Sequence, residues 1–112
     1  MLYNYKAKII SVYDGDTVTA LIDLGFKVTF TIKLRLLGID TPELRGEERE
    51  EGLKVRDYVR ELILNKDVIV KSHRDKQGKY GRYLAEIFID GLDGVSLNQT
   101  LINKGMAKEY LK

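Results

Sequence analysis

From Phe26 to Leu36 apolar and polar residues alternate without a break. A strict period of two predicts a strand with one buried face. Eleven residues is long for a strand, so this one should bend, as strands do when they close a small barrel. Val18 to Ile22 precedes it as a second strand, joined through Asp23-Leu24-Gly25. A three-residue hairpin loop with Gly25 left-handed sets Ile22 opposite Phe26, Ala20 opposite Val28 and Val18 opposite Phe30. Extended upstream, that register puts Asp16 near Ile32 and Asp14 near Leu34. Tyr5 to Val12, Asp67 to Lys71 and Tyr83 to Ile89 read as three more strands, five in all.

Between Glu43 and Asp67 the period changes. Val55, Tyr58, Val59, Leu62 and Ile63 fall at helical spacing and form one apolar stripe. Glu47, Glu48, Glu50 and Glu51 precede that stripe, where the helix dipole favours anions, and Asn65 is a stop signal. A second helix starts at Ser96, with Gln99 completing a capping box, and stops at Gly105. Three strands, a helix, two strands and a short helix predict an α+β fold that is mostly β. The expected architecture is a five-stranded Greek-key barrel of the OB type with two flanking helices, one domain over residues 1–112.

Composition narrows the function by exclusion. Hydrophobic residues make up 44% and charged residues 32% of 112, as in an ordinary globular domain. The net charge of +2 does not by itself announce a nucleic-acid binder, so the argument must rest on where the charges sit. There is no cysteine and one histidine, which excludes disulfide scaffolds, thiolate zinc sites and multi-histidine metal sites. His73 reads as a surface residue. No stretch is long and apolar enough for a membrane span, and Met1 to Lys6 contains no apolar signal core. On its face the sequence is cytoplasmic, or secreted if Met1 belongs to a trimmed chain.

Three clusters carry chemistry. Asp14-Gly15-Asp16-Thr17 lies between the first two strands. Arg35 is followed by Asp40-Thr41-Pro42-Glu43 just past the third strand. Lys79-Tyr80-Gly81-Arg82 precedes the fifth. An Asp-Gly pair alone is a common turn. The hairpin, however, brings four carboxylates and Arg35 to one end of the sheet. Carboxylates in contact repel, and a hard dication such as Ca²⁺ or Mg²⁺ removes the conflict. Arginines beside such a site point to a phosphate, whose oxygens guanidinium binds bidentately. Lys71 to Arg82 carries five basic residues against Asp75, a solvated loop or a phosphate track.

Together with Leu101-Ile102-Asn103-Lys104-Gly105-Met106-Ala107, these blocks resemble the staphylococcal nuclease (thermonuclease) family over nearly the whole chain, about Lys8 to Tyr110. The resemblance implies an OB-fold barrel and a Ca²⁺-dependent phosphodiesterase. Such an enzyme cuts single-stranded or frayed DNA and RNA with little base preference and leaves 3′-phosphates. It implies Asp16, Asp40 and the Thr41 carbonyl as Ca²⁺ ligands, with Asp14 behind them. It also implies Glu43 as general base, and Arg35 and Arg82 on the scissile phosphate. Lys79, Tyr80, Leu84 and Tyr110 would contact the nucleotide. The sequence departs from the family in three places. The hairpin before Arg35 is longer, the acidic stretch after Glu43 is shorter, and Gly78 replaces an aspartate. The family's third, C-terminal helix is absent before Lys112, so a dimer or a swapped element is one expected way to cover that face. Two other readings stand beside the nuclease: a non-catalytic nucleic-acid-binding module of the same fold, and a Ca²⁺-binding structural domain.

Overall fold

A computed structural model describes residues 3–73 and 83–110. The chain runs β1 (Tyr3–Asp14), β2 (Thr17–Asp23), β3 (Thr29–Leu36), β4 (Ile39–Asp40), α1 (Arg49–Ile63), β5 (Asp67–His73), β6 (Tyr83–Phe88), α2 (Leu97–Asn103) and β7 (Lys108–Glu109). Five strands close a barrel in the order β1-β2-β3-β6-β5, and β5 returns to β1. All barrel pairs are antiparallel except β3 with β6, which pair in parallel over Leu34 to Leu36. β4 and β7 form a separate two-stranded ribbon. The mostly β, OB-type barrel with two helices is therefore the architecture observed. Among the described residues no helix is long and apolar enough to cross a membrane.

Inward positions of the strands supply the core: Ile9, Val18, Ala20, Leu34, Val70 and Ile87 are all buried. The helical stripe closes it from one side, with Val55, Val59 and Ile63 buried and Tyr58 and Leu62 packed at its edge. α1 ends as its sequence predicts, with Asn65 left-handed at φ 61° just beyond it. α2 begins at Ser96, whose hydroxyl accepts from the Gln99 amide at 3.0 Å. Only that half of the capping box forms, because the Gln99 amide group donates to Asn103 at 2.9 Å instead. Gly105 is left-handed past its end.

The β2–β3 register corrects the sequence expectation. Ile22 faces Phe30 and Val18 faces Leu34, a shift of four residues, so β3 starts at Thr29 and Leu24 to Val28 make the loop. Asp23 accepts from the Gly25 amide at 2.8 Å, the Leu24 amide donates to the Val28 carbonyl at 2.9 Å, and Gly25, Phe26 and Lys27 all have positive φ. Alternation dictates a strand only where one face has a core beneath it. Phe26 is fully exposed, so at that end turn chemistry decides. An even shift keeps every β3 side chain on its predicted face. It changes which residues are neighbours: Thr17, next to Asp16, now lies opposite Arg35.

Candidate functional site

The turn between β1 and β2 is built to hold two carboxylates. The Asp16 amide donates to Asp14 Oδ1 at 3.1 Å, and Gly15 between them has no room for a side chain. A Cβ there would lie 2.5 Å from Val55 and 2.9 Å from Thr41, so α1 and the segment after β4 press directly onto the turn. Thr41 is buried, and its amide donates to Asp16 Oδ2 at 3.1 Å. The Thr17 hydroxyl donates to Asp16 Oδ1 at 3.2 Å. Gly52 of α1 packs against the Glu43 and Pro42 carbonyls, closer than any larger residue allows. One helix thus fixes both halves of the site through two glycines.

Arg35 joins the halves. Its Nη1 lies 2.7 Å from Asp16 Oδ2, and its Nη2 donates to the Ile39 carbonyl at 3.2 Å and lies 3.8 Å from Asp40. The Tyr110 ring covers the guanidinium at 5.7 Å, a cation–π distance. Tyr110 is held there because its amide donates to the Gly38 carbonyl at 2.8 Å, at the end of the β4–β7 ribbon. Leu84 of β6 is the parallel partner of Arg35. Nη1 is buried against Asp16, whose carboxylate meets its charge. Among the described residues the buried Thr41 hydroxyl has no hydrogen-bond partner.

Asp14, Asp16, Arg35, Asp40, Thr41 and Glu43 line one open cleft of about 650 Å³. Asp40 and Glu43 are exposed at its rim and Asp16 is buried at its floor. The two neighbouring aspartates titrate apart. Burial is the main cause that pushes Asp14 up to about 6, helped by its hydrogen bond and charge contact with Asp16. For Asp16 burial also acts upward as the largest single influence. The hydrogen bond from Asp14, the Arg35 charge and the Thr41 amide together outweigh it, and hold Asp16 below the usual carboxylate range.

The donors in the cleft are carboxylates and a backbone carbonyl, the hard oxygen ligands that Ca²⁺ takes. Asp16, Asp40 and the Thr41 carbonyl fit such an ion in kind. They are not gathered into a finished cage: among the described residues no three His, Cys, Asp or Glu side chains converge on one metal position. Water must therefore supply much of the coordination. Of the other sequence-predicted residues, Lys79, Tyr80 and Arg82 lie outside the described residues.

Four cleft residues were not singled out from the sequence: Ser11, Tyr13, Thr19 and Lys33. The signal for Lys33 was present, since it stands two positions before Arg35 on the same face of β3. Arg60 of α1 was also missed. Its guanidinium donates to the Val12 carbonyl at 3.0 and 3.3 Å, beside the aspartate turn.

Residues 33–112 match the family described as staphylococcal nuclease homologue. The chain belongs to the staphylococcal nuclease family. It is 31% identical over 130 residues to an uncharacterized protein of Methanocaldococcus jannaschii, a match covering 96% of this chain and 60% of the relative. It is 30% identical over 108 residues to an uncharacterized protein of Bacillus anthracis, covering 93% of this chain and 47% of the relative. The chain therefore spans about half to three fifths of the curated relatives it matches. Membership in this nuclease family points to a nuclease-type or nucleic-acid-binding role.

Proposed function

We propose that this staphylococcal nuclease homologue is a calcium-dependent endonuclease. It hydrolyses phosphodiester bonds in single-stranded or frayed DNA and RNA with little sequence preference, and leaves 3′-phosphate ends. The observation that carries the reading is Arg35: a half-buried guanidinium fixed by Asp16 at 2.7 Å and by the Ile39 carbonyl, beneath Tyr110, on the wall of a carboxylate-rich cleft. A phosphate oxygen is the acceptor that such a group is shaped to take.

Asp16, Asp40 and the Thr41 carbonyl would hold the calcium, and Asp14 would support Asp16 through the turn. When bound, the ion supplies a positive charge that stabilises the phosphate oxygens as charge builds on them. Arg35 is already oriented, so it stabilises the same charge without reorganising, and Arg82 is its expected companion. Glu43, exposed on the cleft rim, positions the attacking water and takes its proton. The water oxygen bonds to phosphorus as the P–O5′ bond breaks; the phosphate stays on the 3′ oxygen and the leaving 5′ oxygen takes a proton from solvent. Leu84 and Tyr110 flank the guanidinium as surfaces for the nucleotide, with Lys79 and Tyr80 expected on the neighbouring phosphate.

The test is cleavage of a single-stranded DNA oligonucleotide with Ca²⁺, with Mg²⁺ and with chelator, reading the product ends. Ca²⁺-dependent products ending in 3′-phosphate are expected. Cleavage that persists in chelator, or products ending in 5′-phosphate, would sink the assignment. A second reading, a non-catalytic nucleic-acid-binding module, is favoured by one observation: Asp16 Oδ2 is already engaged by Arg35 and the Thr41 amide, and no three-carboxylate cage stands ready among the described residues. Glu43→Gln separates the two. The enzyme loses most of its turnover and keeps its DNA affinity, whereas a binder shows no turnover to lose.

A further inference from the structure

The outward face of β1, β2 and β3 continues the cleft away from Arg35. Strand registers arrange it in rows. Asp14, Thr17 and Arg35 stand in one row across the three strands. Ser11, Thr19 and Lys33 stand in the next. All six line the same cleft. The two rows are two residues apart along the strands, about 7 Å. That step is comparable with the phosphate-to-phosphate separation of an extended single strand. The chemistry of the second row is two hydroxyls and an ammonium, with no carboxylate. Toward β4, in contrast, the cleft rim carries Asp40 and Glu43. A polyanion whose phosphate rests on Arg35 is therefore repelled on the acidic side and attracted along β3 toward Lys33.

Tyr13 stands beside this path. It falls where the β1–β2 register slips, between the pairs Val12–Val18 and Asp14–Thr17, so it is the extra residue of a bulge. Bulges re-aim a side chain, and this one leaves Tyr13 67% exposed in the cleft wall. Arg60 holds the bulge from behind through its two bonds to the Val12 carbonyl. An exposed ring on a braced backbone is a stacking platform, and stacking tolerates any base.

We propose that this face is a second subsite for the polynucleotide. Lys33 takes the phosphate next to the one on Arg35, Ser11 and Thr19 donate hydroxyls to it, and Tyr13 stacks on a base. The inference rests on the nucleic-acid reading of the cleft, but not on hydrolysis. It makes length of strand, not base identity, the property the protein selects.

Binding in chelator, followed by fluorescence anisotropy, tests it without cleavage. The probes are a labelled thymidine dinucleotide and a labelled thymidine octanucleotide. The proteins are wild type, Lys33→Ala, Tyr13→Ala, Tyr13→Phe and the exposed α1 control Lys54→Ala. Lys33→Ala should weaken octanucleotide binding about threefold to tenfold and reduce its salt slope by about 0.7, the loss of one phosphate contact to a single strand. Tyr13→Ala should weaken it at least fivefold and Tyr13→Phe should restore it. Dinucleotide binding and the Lys54→Ala control should not change. Octanucleotide binding by Lys33→Ala and Tyr13→Ala equal to wild type would overturn the subsite. Wild type that binds with these dependences in chelator but does not cut the octanucleotide when calcium is supplied would overturn the hydrolytic reading and uphold the subsite. Wild type that binds neither probe in chelator or in calcium, and cuts neither, would overturn both.

Discussion

Asp14 and Asp16 are separated by one glycine, yet their carboxyls are pushed in opposite directions. Burial pushes both carboxyls up, but the hydrogen bond they share raises Asp14 further and lowers Asp16, and Arg35 at 2.7 Å with the Thr41 amide carries Asp16 below its ordinary value. The sign of the consequence follows from proton linkage. Asp14 titrates near 6 when folded against an ordinary 3.8, so between those values the folded protein binds more protons than the unfolded one. Stability of the calcium-free protein therefore falls as pH rises through that window and stays lower above it. Asp16 contributes nothing there, because its depressed carboxyl titrates below 3.8. Thermal melts in chelator should show the protein less stable at pH 7 than at pH 5, by about 1 kcal/mol at most from Asp14 once solvent screening is allowed for. In Asp14→Asn that contribution should vanish. An unchanged pH profile in the variant would assign the loss to other groups.

Among the elements, α1 and α2 position the site by different means, and each is testable. Gly52 lets α1 lie against the Glu43 and Pro42 carbonyls. Alanine is intrinsically the better helix former by about 1 kcal/mol. Gly52→Ala should nevertheless lower stability in urea unfolding, because the added methyl meets backbone that cannot swing away. It should also reduce kcat at least tenfold by moving Glu43, with oligonucleotide affinity nearly kept. A more stable, fully active Gly52→Ala would show that the helix simply slides. In α2, buried Asn98 accepts from the Ile87 amide at 3.2 Å and donates to the Leu37 and Ala85 carbonyls at 2.9 and 3.0 Å. It ties the helix to β6 and to the turn between β3 and β4. Asn98→Ala leaves the Ile87 amide and the Leu37 carbonyl without their Asn98 bonds, while the Ala85 carbonyl keeps the Leu37 amide at 2.8 Å, and should cost about 2–3 kcal/mol in the same assay. Asn98 was not legible in the sequence, since nothing in a short amphipathic pattern distinguishes a buried bracket from a surface amide. The strands and helices themselves were legible, because their inward positions sit over one core. The hairpin register was not, because Phe26 and Val28 alternate correctly but have no core beneath them. The carboxylates and Arg35 were legible as residue types at one end of the sheet. Tyr13 was not, because its place depends on a bulge; Lys33 was legible as a neighbour of Arg35 on one face of β3, but its pairing with Thr19 depends on the register.

At the scale of the molecule, the cleft is assembled from the β1–β2 turn, β3, and the segment from β4 to Glu43, braced by α1. None of these pieces holds the carboxylates in place by itself, so an ion that uses the cleft binds the folded barrel and not the unfolded chain. Calcium binding is then folding free energy, readable without any nuclease assay. An open site with few protein ligands belongs with the weak class of calcium sites, with Kd about 1 mM. At about 10 mM calcium, mass action then gives roughly 1.4 kcal/mol of added stability. For a domain of this size that raises Tm by roughly 5–10 °C. Equal magnesium should do less, because Mg²⁺ demands a more regular cage and sheds its water reluctantly. Asp40→Asn should remove most of the calcium shift, and its own calcium-free Tm should stay near wild type because Asp40 is exposed at the rim. A wild-type Tm that does not respond to calcium would remove the ion from the proposed mechanism and leave the cleft as a phosphate-binding surface centred on Arg35.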